Sequence, residues 1–251
     1  MLKSFTATNK PPLHLREAYL NSLSEPQELY LEDLVQDGTV WCMQEQAYAI
    51  CNDHQIVEFY VIPELAAQRI AIFDAARSAS GANSALCKSF DTQFMSAALA
   101  SNAQVEPVGL LFRHVADPTF TLRSDVQMRQ GNAGDIAGIM SFNDDFFTSH
   151  REVTEYADGH GLFALEHQGS LIGCGIGKPV IAGCGDIDIG MLVHSAFRRL
   201  GYGAYIIAFL KHHYLQHDLR PICGCEINNL GSQKALRNAG FVDNHRILKI
   251  T

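Results

Sequence analysis

Asp186-Ile187-Asp188-Ile189-Gly190-Met191-Leu192-Val193-His194-Ser195-Ala196-Phe197-Arg198-Arg199-Leu200-Gly201-Tyr202-Gly203 is the stretch on which the reading of this chain turns. Asp186 to Val193 reads as a strand, and the chain then turns through Arg198 to Gly203. A helix follows over Gly201 to His213, with Tyr205, Ile206, Phe209 and Leu210 at the spacing of one apolar face. Helix N-termini leave amide N–H groups unpaired and carry partial positive charge, so this corner favours a pyrophosphate. A Cβ at Gly201 or Gly203 would hold a phosphate away from those amides. Arg198 and Arg199 add charge-assisted bonds at the mouth.

Around this stretch the second half of the chain reads as a mixed α/β unit. Val126 to Gln130 is a strand, and a helix with Asp135 as N-cap runs to about Phe142. A second helix lies near Ser149 to Ala157. Leu162 to His167 and Leu171 to Ile176 form a hairpin through Gln168-Gly169-Ser170. After the long helix come a strand at Arg220 to Ile227, a helix at Ser232 to Asn238 closed by Gly240, and a strand at Val242 to Ile250.

The first half repeats the later part of this order. Its strands are Ile56 to Ile62, Ser84 to Phe90 and Val105 to Phe112; its helices are Pro63 to Ser78 and Asp91 to Ala100. Local matches support a duplication: Tyr60-Val61 against Leu192-Val193, Ala98-Leu99 against Ala235-Leu236, and Gly109-Leu110-Leu111 against Arg246-Ile247-Leu248. Two unrelated α/β lobes are the alternative. The turn Ala116-Asp117-Pro118-Thr119 marks the divide, giving domains 1–117 and 118–251.

Composition narrows the partners. Across 251 residues, 19 Lys and Arg face 27 Asp and Glu, a formal net charge of −8. Duplex nucleic acid and anionic membranes need a cationic surface, so neither is expected as a partner. Charged residues make up 18% against ~25% in an average domain, with 47% hydrophobic, which points to a packed core rather than disorder. The longest apolar run, Ala204 to Leu210, falls short of the ~20 residues of a membrane helix. The start, Met1-Leu2-Lys3-Ser4-Phe5, carries no leader-like apolar region. Seven cysteines, an odd number without framework spacing, read as reduced thiols in a cytoplasmic protein.

Arg198-x-x-Gly201-x-Gly203 resembles the acyl-CoA-binding motif of the GNAT superfamily of N-acetyltransferases, Gln/Arg-x-x-Gly-x-Gly/Ala. Asn229-x-x-Ser232-x-x-Ala235-Leu236-x-x-x-Gly240-Phe241 resembles the Asn-x-x-Ser/Ala…Gly-Phe element of the same superfamily. The likeness covers Val126 to Thr251 well and the first half loosely, so the chain looks like tandem GNAT-like lobes, the first a diverged copy. By this resemblance, Arg198, Arg199, Leu200, Gly201, Tyr202 and Gly203 cradle the CoA pyrophosphate. Met191, Leu192 and Val193 offer their backbone to the pantetheine arm; Asn229, with Ser232 beside it, bonds the pantetheine or the loop. Splayed parallel strands would open a cleft between Val193 and Ile227. The first copy has Ala66, Arg69 and Ala71 where the second has Arg198, Gly201 and Gly203, so only the second is expected to bind acyl-CoA.

The activity implied is acetyl transfer from acetyl-CoA to a primary amine of a small molecule, by direct attack in a ternary complex. Asp188 stands where many family members carry a carboxylate, and Asp186 shares its sheet face. These two either supply the base or solvate a strand end. His194 either acts as a base near pH 7 or is a surface histidine. Many family members carry Tyr as thiolate acid where this chain has Leu236, so that proton falls to water, Tyr202 or another group. The strand N–H at Leu192–Val193 polarises the thioester carbonyl whatever its side chain. Asp145 and Phe146, within Asp144-Asp145-Phe146-Phe147, would suit a cationic amine; a solvated loop with core phenylalanines is the alternative.

His213 and His217, four apart on a helix, could ligate a metal with Cys223 and Cys225, but no Cys-x-x-Cys pair or Glu-bearing zincin pattern supports that, so no metal is expected. Gly173-Cys174-Gly175-Ile176-Gly177-Lys178-Pro179 is not a nucleotide loop, since Ile172 and Pro179 break the pattern and the run sits in a hairpin strand. A homodimer is one assembly open to the chain; the sequence does not fix the oligomeric state. The rival reading is a non-catalytic acyl-CoA-binding sensor, favoured by the missing tyrosine.

Overall fold

The computed structural model describes residues 4–99, 103–117 and 119–251. Ala100, the expected end of one helix, Pro118 of the boundary turn, and Met1, Leu2 and Lys3 lie outside the described residues. Two compact units emerge: Met1–Leu110 together with His245–Thr251, and Leu111–Asn244.

The first unit contains β1 (Thr6–Thr8), α1 (Leu13–Ser22), α2 (Leu29–Asp37), β2 (Thr39–Met43), β3 (Ala47–Asn52), β4 (Gln55–Val61), α3 (Arg69–Ser80), β5 (Ser84–Lys88), α4 (Thr92–Ala98) and, as far as Leu110, β6 (Val105–Phe112). Phe59, Phe73 and Phe94 meet at its core, with ring centroids 5.1 to 6.1 Å apart. The helix expected over Pro63 to Ser78 is two elements. Pro63–Gln68 is a 3-10 turn, and α3 starts at Arg69 and stops at Gly81 (φ +69°). Strands β4 and β5 are parallel and pair only at Gln55–Ile56 with Ser84–Ala85.

On the other side of β4, Glu58 is fully buried. It accepts hydrogen bonds from Tyr48 (2.8 Å), Arg16 (3.2 Å) and Gln27 (3.2 Å). Lys88, equally buried, donates to Tyr19 (2.6 Å) and Gln27 (2.7 Å), and Tyr19 donates to Asp91 (2.8 Å). Such a chain of buried charges persists only because each member is bonded.

The second unit contains β7 (His114–Val115), β8 (Val126–Gln130), α5 (Ile136–Ser141), α6 (His150–Asp158), β9 (Leu162–His167), β10 (Ser170–Pro179), β11 (Asp186–Val193), α7 (Tyr202–Leu215), β12 (Arg220–Glu226), α8 (Leu230–Asn238) and β13 (Phe241–Val242). Its strand order is β12-β11-β10-β9-β8, antiparallel except for the parallel β11–β12 pair. Gln168 (φ +51°) and Gly169 (φ +76°) turn the β9–β10 hairpin in the left-handed conformation that two-residue hairpins favour. Asp135 stands at the N-cap position of α5 as expected but makes no side-chain cap bond there; it ends a 3-10 turn, Ala133–Asp135, capped by Asn132, whose Oδ1 accepts from Gly134 N (2.8 Å). Asp135 answers from three residues on by accepting from Asn132 N (2.9 Å). Arg129 grips Asp135 through both carboxylate oxygens and holds that acid below the usual carboxylate range.

The strand expected over Val242 to Ile250 is broken at Asp243-Asn244. Phe241–Val242 pairs with β7 in the second unit. His245–Ile250, β14, belongs to the first unit, where it pairs antiparallel with β5 (Ile247 opposite Lys88, Ile250 opposite Ala85) and lies next to β6.

The glycine run of β10 has a packing role. A Cβ at Gly173 would sit 2.7 Å from the Leu192 carbonyl, and one at Gly175 2.7 Å from Ile206; one at Gly177 would run into the Tyr214 ring. Bare strand backbone lets α7 lie directly on the sheet. That close seat brings the start of α7 beside the end of β11.

Candidate functional site

The site begins as a fork. Strands β11 and β12 pair only from Asp186 opposite Arg220 to Asp188 opposite Ile222. Beyond that point the described residues show no pairing between them, and a cleft of about 1160 Å³ opens between the separated ends. Met191, Leu192 and Val193 line one wall; Asn229, Ser232 and Ala235 line the other.

Arg198, Arg199, Gly201 and Gly203 close one end of the cleft. Gly201 caps α7 at φ +86°, a conformation that L side chains adopt only with strain. The first helical bond at this end runs from Tyr205 N to Gly201 O (3.1 Å), so the amides of Tyr202, Gly203 and Ala204 precede any intrahelical acceptor. Gly203 differs from Gly201. A Cβ there would meet Ala235 Cβ at 3.5 Å, ordinary contact, so the fold itself accepts alanine at this position. Arg198 donates from Nε to the Val193 carbonyl (3.0 Å) and ion-pairs through Nη2 with Asp144 (2.7 Å).

Tyr202 and Leu200 stand apart from the cleft lining. The Tyr202 hydroxyl donates to Asp125 (3.0 Å), and the Leu200 carbonyl accepts from Arg123 (3.1 Å). Burial, then the neighbouring Asp125, raises the Tyr202 phenol above its ordinary pKa.

On the opposite wall, Asn229 Oδ1 accepts from Ser232 N (3.0 Å) and so caps α8. Gln233 Nε2 bonds the Ile227 carbonyl (2.6 Å) and fixes the turn between strand and helix. Leu236 is 2% exposed, packed away from the cleft.

The acceptor end is split by burial. Asp145 (φ +60°) and Phe146 line the cleft, whereas Phe147 is buried with Ile139, Val153 and Leu192. Phe146 sits against Gly190, where a Cβ would stand 3.3 Å from the ring. Asn143 ties the loop shut by exchanging two 2.7 Å bonds with the Phe147 backbone.

Two expected catalytic residues lie outside the lining. Asp188 sits on the closed side of the fork, opposite Ile222 and Lys178. His194 Nδ1 accepts from Ala196 N (3.1 Å), and the ring packs against Phe142 and Phe197. Glu226 and Lys234 do line the cleft and were not singled out from the sequence. Glu226 ends β12 directly before Ile227, the residue named as one lip of the cleft, and that adjacency was the available signal.

The nearby thiols are poor nucleophiles. Burial pushes Cys174 up to about 12 and Cys225 up to about 11, and Cys223 is raised well above its ordinary range. Among the described residues no three His, Cys, Asp or Glu side chains gather as a metal-ligand set, and no helix is long and apolar enough to cross a membrane.

Comparison with known proteins bears on both units. Residues 9–115 match the family described as "Acetyltransferase (GNAT) domain", and residues 133–241 the one described as "Acetyltransferase (GNAT) family". No curated protein matches the chain. A solved acetyltransferase from the GNAT family of Colwellia psychrerythraea is similar at TM-score 0.86 and 18% identity, covering 98% of both chains. A GCN5-related N-acetyltransferase from Sphaerobacter thermophilus superposes at TM-score 0.65 and 13% identity, over 98% of this chain and 95% of that one. A tandem GNAT protein from the clavulanic acid biosynthesis pathway gives TM-score 0.62 and 13% identity, over 98% and 97%. At these identities the likeness is one of fold.

Proposed function

Because this chain belongs to the GNAT acetyltransferase family through both its domains, we propose that its second unit transfers acetyl from acetyl-CoA to the primary amine of a small molecule. The transfer is a direct attack in a ternary complex, in the cytoplasm. One observation carries this reading: the forked end of β11 and the glycine-capped start of α7 open onto the same cleft. An unpaired strand edge suits an amide-bearing arm, and a bare helix end with arginines suits a diphosphate.

Bound acetyl-CoA supplies a thioester: the amine nitrogen bonds its carbonyl carbon, the C–S bond breaks, and the sulfur leaves with a proton. Arg198 and Arg199 line the diphosphate corner beside the glycine-capped start of α7. Met191 to Val193 orient the arm through their backbone, and the N–H at the end of that strand polarises the carbonyl. Asp145 and Phe146 receive the cationic amine.

Deprotonation of the amine falls to Asp188, acting through water from the closed end of the fork. Glu226 is the second candidate, favoured by its place in the cleft lining. Leu236 cannot protonate the thiolate and Tyr202 is engaged with Asp125, which leaves that step to solvent at the cleft mouth, beside Ser232. Direct attack is preferred to an acyl-cysteine relay because no cysteine lines the cleft among the described residues, and burial raises Cys174, Cys223 and Cys225.

The test is release of CoA thiol across a panel of cationic and neutral amines, with Asp188→Ala, Glu226→Ala and His194→Ala alongside. A cationic amine should give turnover, and Asp188→Ala should abolish most of it. Turnover lost only in Glu226→Ala moves the base role there. Tight acetyl-CoA binding without turnover on any amine would favour a sensor.

A further inference from the structure

Arg123 and Asp125 lie far from the phosphate turn in sequence but are locked onto it. Arg123 Nη1 donates to the Leu200 carbonyl (3.1 Å), and the same nitrogen would stand 3.3 Å from a Cβ on Gly201. Its Nε and Nη2 grip both oxygens of Asp125 (2.9 and 2.8 Å). Asp125 in turn accepts from the Tyr202 hydroxyl (3.0 Å), and the Arg123 guanidinium lies 4.5 Å from the centre of the Tyr202 ring. Leu200 and Tyr202, on either side of Gly201, are therefore both held by one planar cation–carboxylate pair.

The turn needs such a hold. Arg199 (φ +65°) and Gly201 (φ +86°) are both left-handed, one on each side of Leu200, and for Arg199 that conformation is unfavourable on its own. A released turn would relax toward ordinary backbone and swing the α7 amides out of register. Neither Arg123 nor Asp125 lines the cleft. Arg123 is neutralised by its bidentate partner, so its effect on a bound anion is geometric rather than an added charge. The same bonds hold Asp125 well below the usual carboxylate range, so the pair persists across neutral pH.

We infer that Arg123 and Asp125 are positioning residues of the transferase: they set the shape of the Leu200-Gly201-Tyr202 turn and thereby the affinity for the diphosphate portion of the acyl donor. This rests on the reading of the cleft as an acetyl-CoA site. The pair acts on where the donor is held, not on the reaction at the thioester.

The experiment compares two donors, acetyl-CoA and S-acetylpantetheine, which lacks the diphosphate, and adds direct binding of 3′-phospho-ADP. Arg123→Ala should raise KM for acetyl-CoA and Kd for 3′-phospho-ADP roughly tenfold, the scale of a displaced binding group, with kcat within about twofold. Its KM for S-acetylpantetheine should not move. Arg123→Lys should recover only part, because an ammonium cannot hold both Leu200 and Asp125 in one plane. Tyr202→Phe, which keeps the ring and removes one bond, should move the same constants about threefold, and serves if Arg123→Ala does not fold. Equal losses on both donors, or no loss on acetyl-CoA and 3′-phospho-ADP in folded variants, overturn the inference. A wild-type chain that binds neither acetyl-CoA nor 3′-phospho-ADP overturns the reading of the cleft itself.

Discussion

Gln93 and Val61 exchange two hydrogen bonds: the Gln93 amide donates to the Val61 carbonyl at 2.9 Å, and the Val61 N–H donates to Gln93 Oε1 at 3.0 Å. Val61 is the first-unit counterpart of Val193 by the Tyr60-Val61 and Leu192-Val193 match. The strand edge that would receive a pantetheine arm is thus satisfied by the protein's own side chain. The turn before α3 also lacks a left-handed glycine, with Gln68 at φ −102° leading into helical Arg69.

One acetyl-CoA should therefore bind per chain. Isothermal titration calorimetry should give a stoichiometry of one, and Gln93→Ala should leave it at one because the turn is still missing. Two equivalent sites would contradict the division of labour between the copies.

Gly201→Ala should weaken acetyl-CoA binding more than Gly203→Ala. Left-handed backbone costs a non-glycine residue about 1–2 kcal/mol, or about tenfold if it is expressed in binding. At Gly203 the new methyl makes only ordinary contact with Ala235. Dissociation constants for both variants check the order.

Gly177→Ala should lower stability while showing no phosphate-loop phenotype. Its Cβ would stand 2.6 Å from ring atoms of Tyr214, an overpacking worth about 1–3 kcal/mol. The thermal midpoint should fall by several degrees, and a second substitution, Tyr214→Leu, should restore part of the loss.

Thiol reactivity should follow burial. At pH 8, Ellman's reagent should consume one thiol quickly, the exposed Cys184. Cys225, raised to about 11, should react slowly at pH 8 and faster as pH climbs toward that value, because the thiolate is the reacting form. Rapid loss of several thiols from the folded chain would mean that this burial is wrong.

Much of the second unit could be read from local pattern. Asp186–Val193 is a strand over the residues expected, and the turn, the long helix and the hairpin follow because each has its own glycine or periodic signal. Most of the elements missed lie in the first unit, where local signals are weak; β7 (His114–Val115) is missed in the second. Helix α1 follows Pro12 with no side-chain cap and buries only Leu15 and Tyr19; Arg16 and Tyr19 hold it through bonds to Glu32, Glu58 and Asp91. Strand β3 is buried on both faces, so Ala47–Asn52 shows no alternation to detect. In the site, the cofactor corner was visible because its chemistry is contiguous in sequence. The Arg123–Leu200 bond spans 77 positions and has no sequence signature.

The placement of β14 has a consequence for biosynthesis. Domains commonly fold in the order in which they leave the ribosome. Here the slot between β5 and β6 is filled by His245–Ile250, which is translated only after the entire second unit. The N-terminal unit must wait, with two bare sheet edges, until the last ladder partner is released. Nascent chains stalled before His245 should therefore be protease-sensitive in Ser84–Lys88 and Val105–Phe112 and vulnerable to misassociation at those edges.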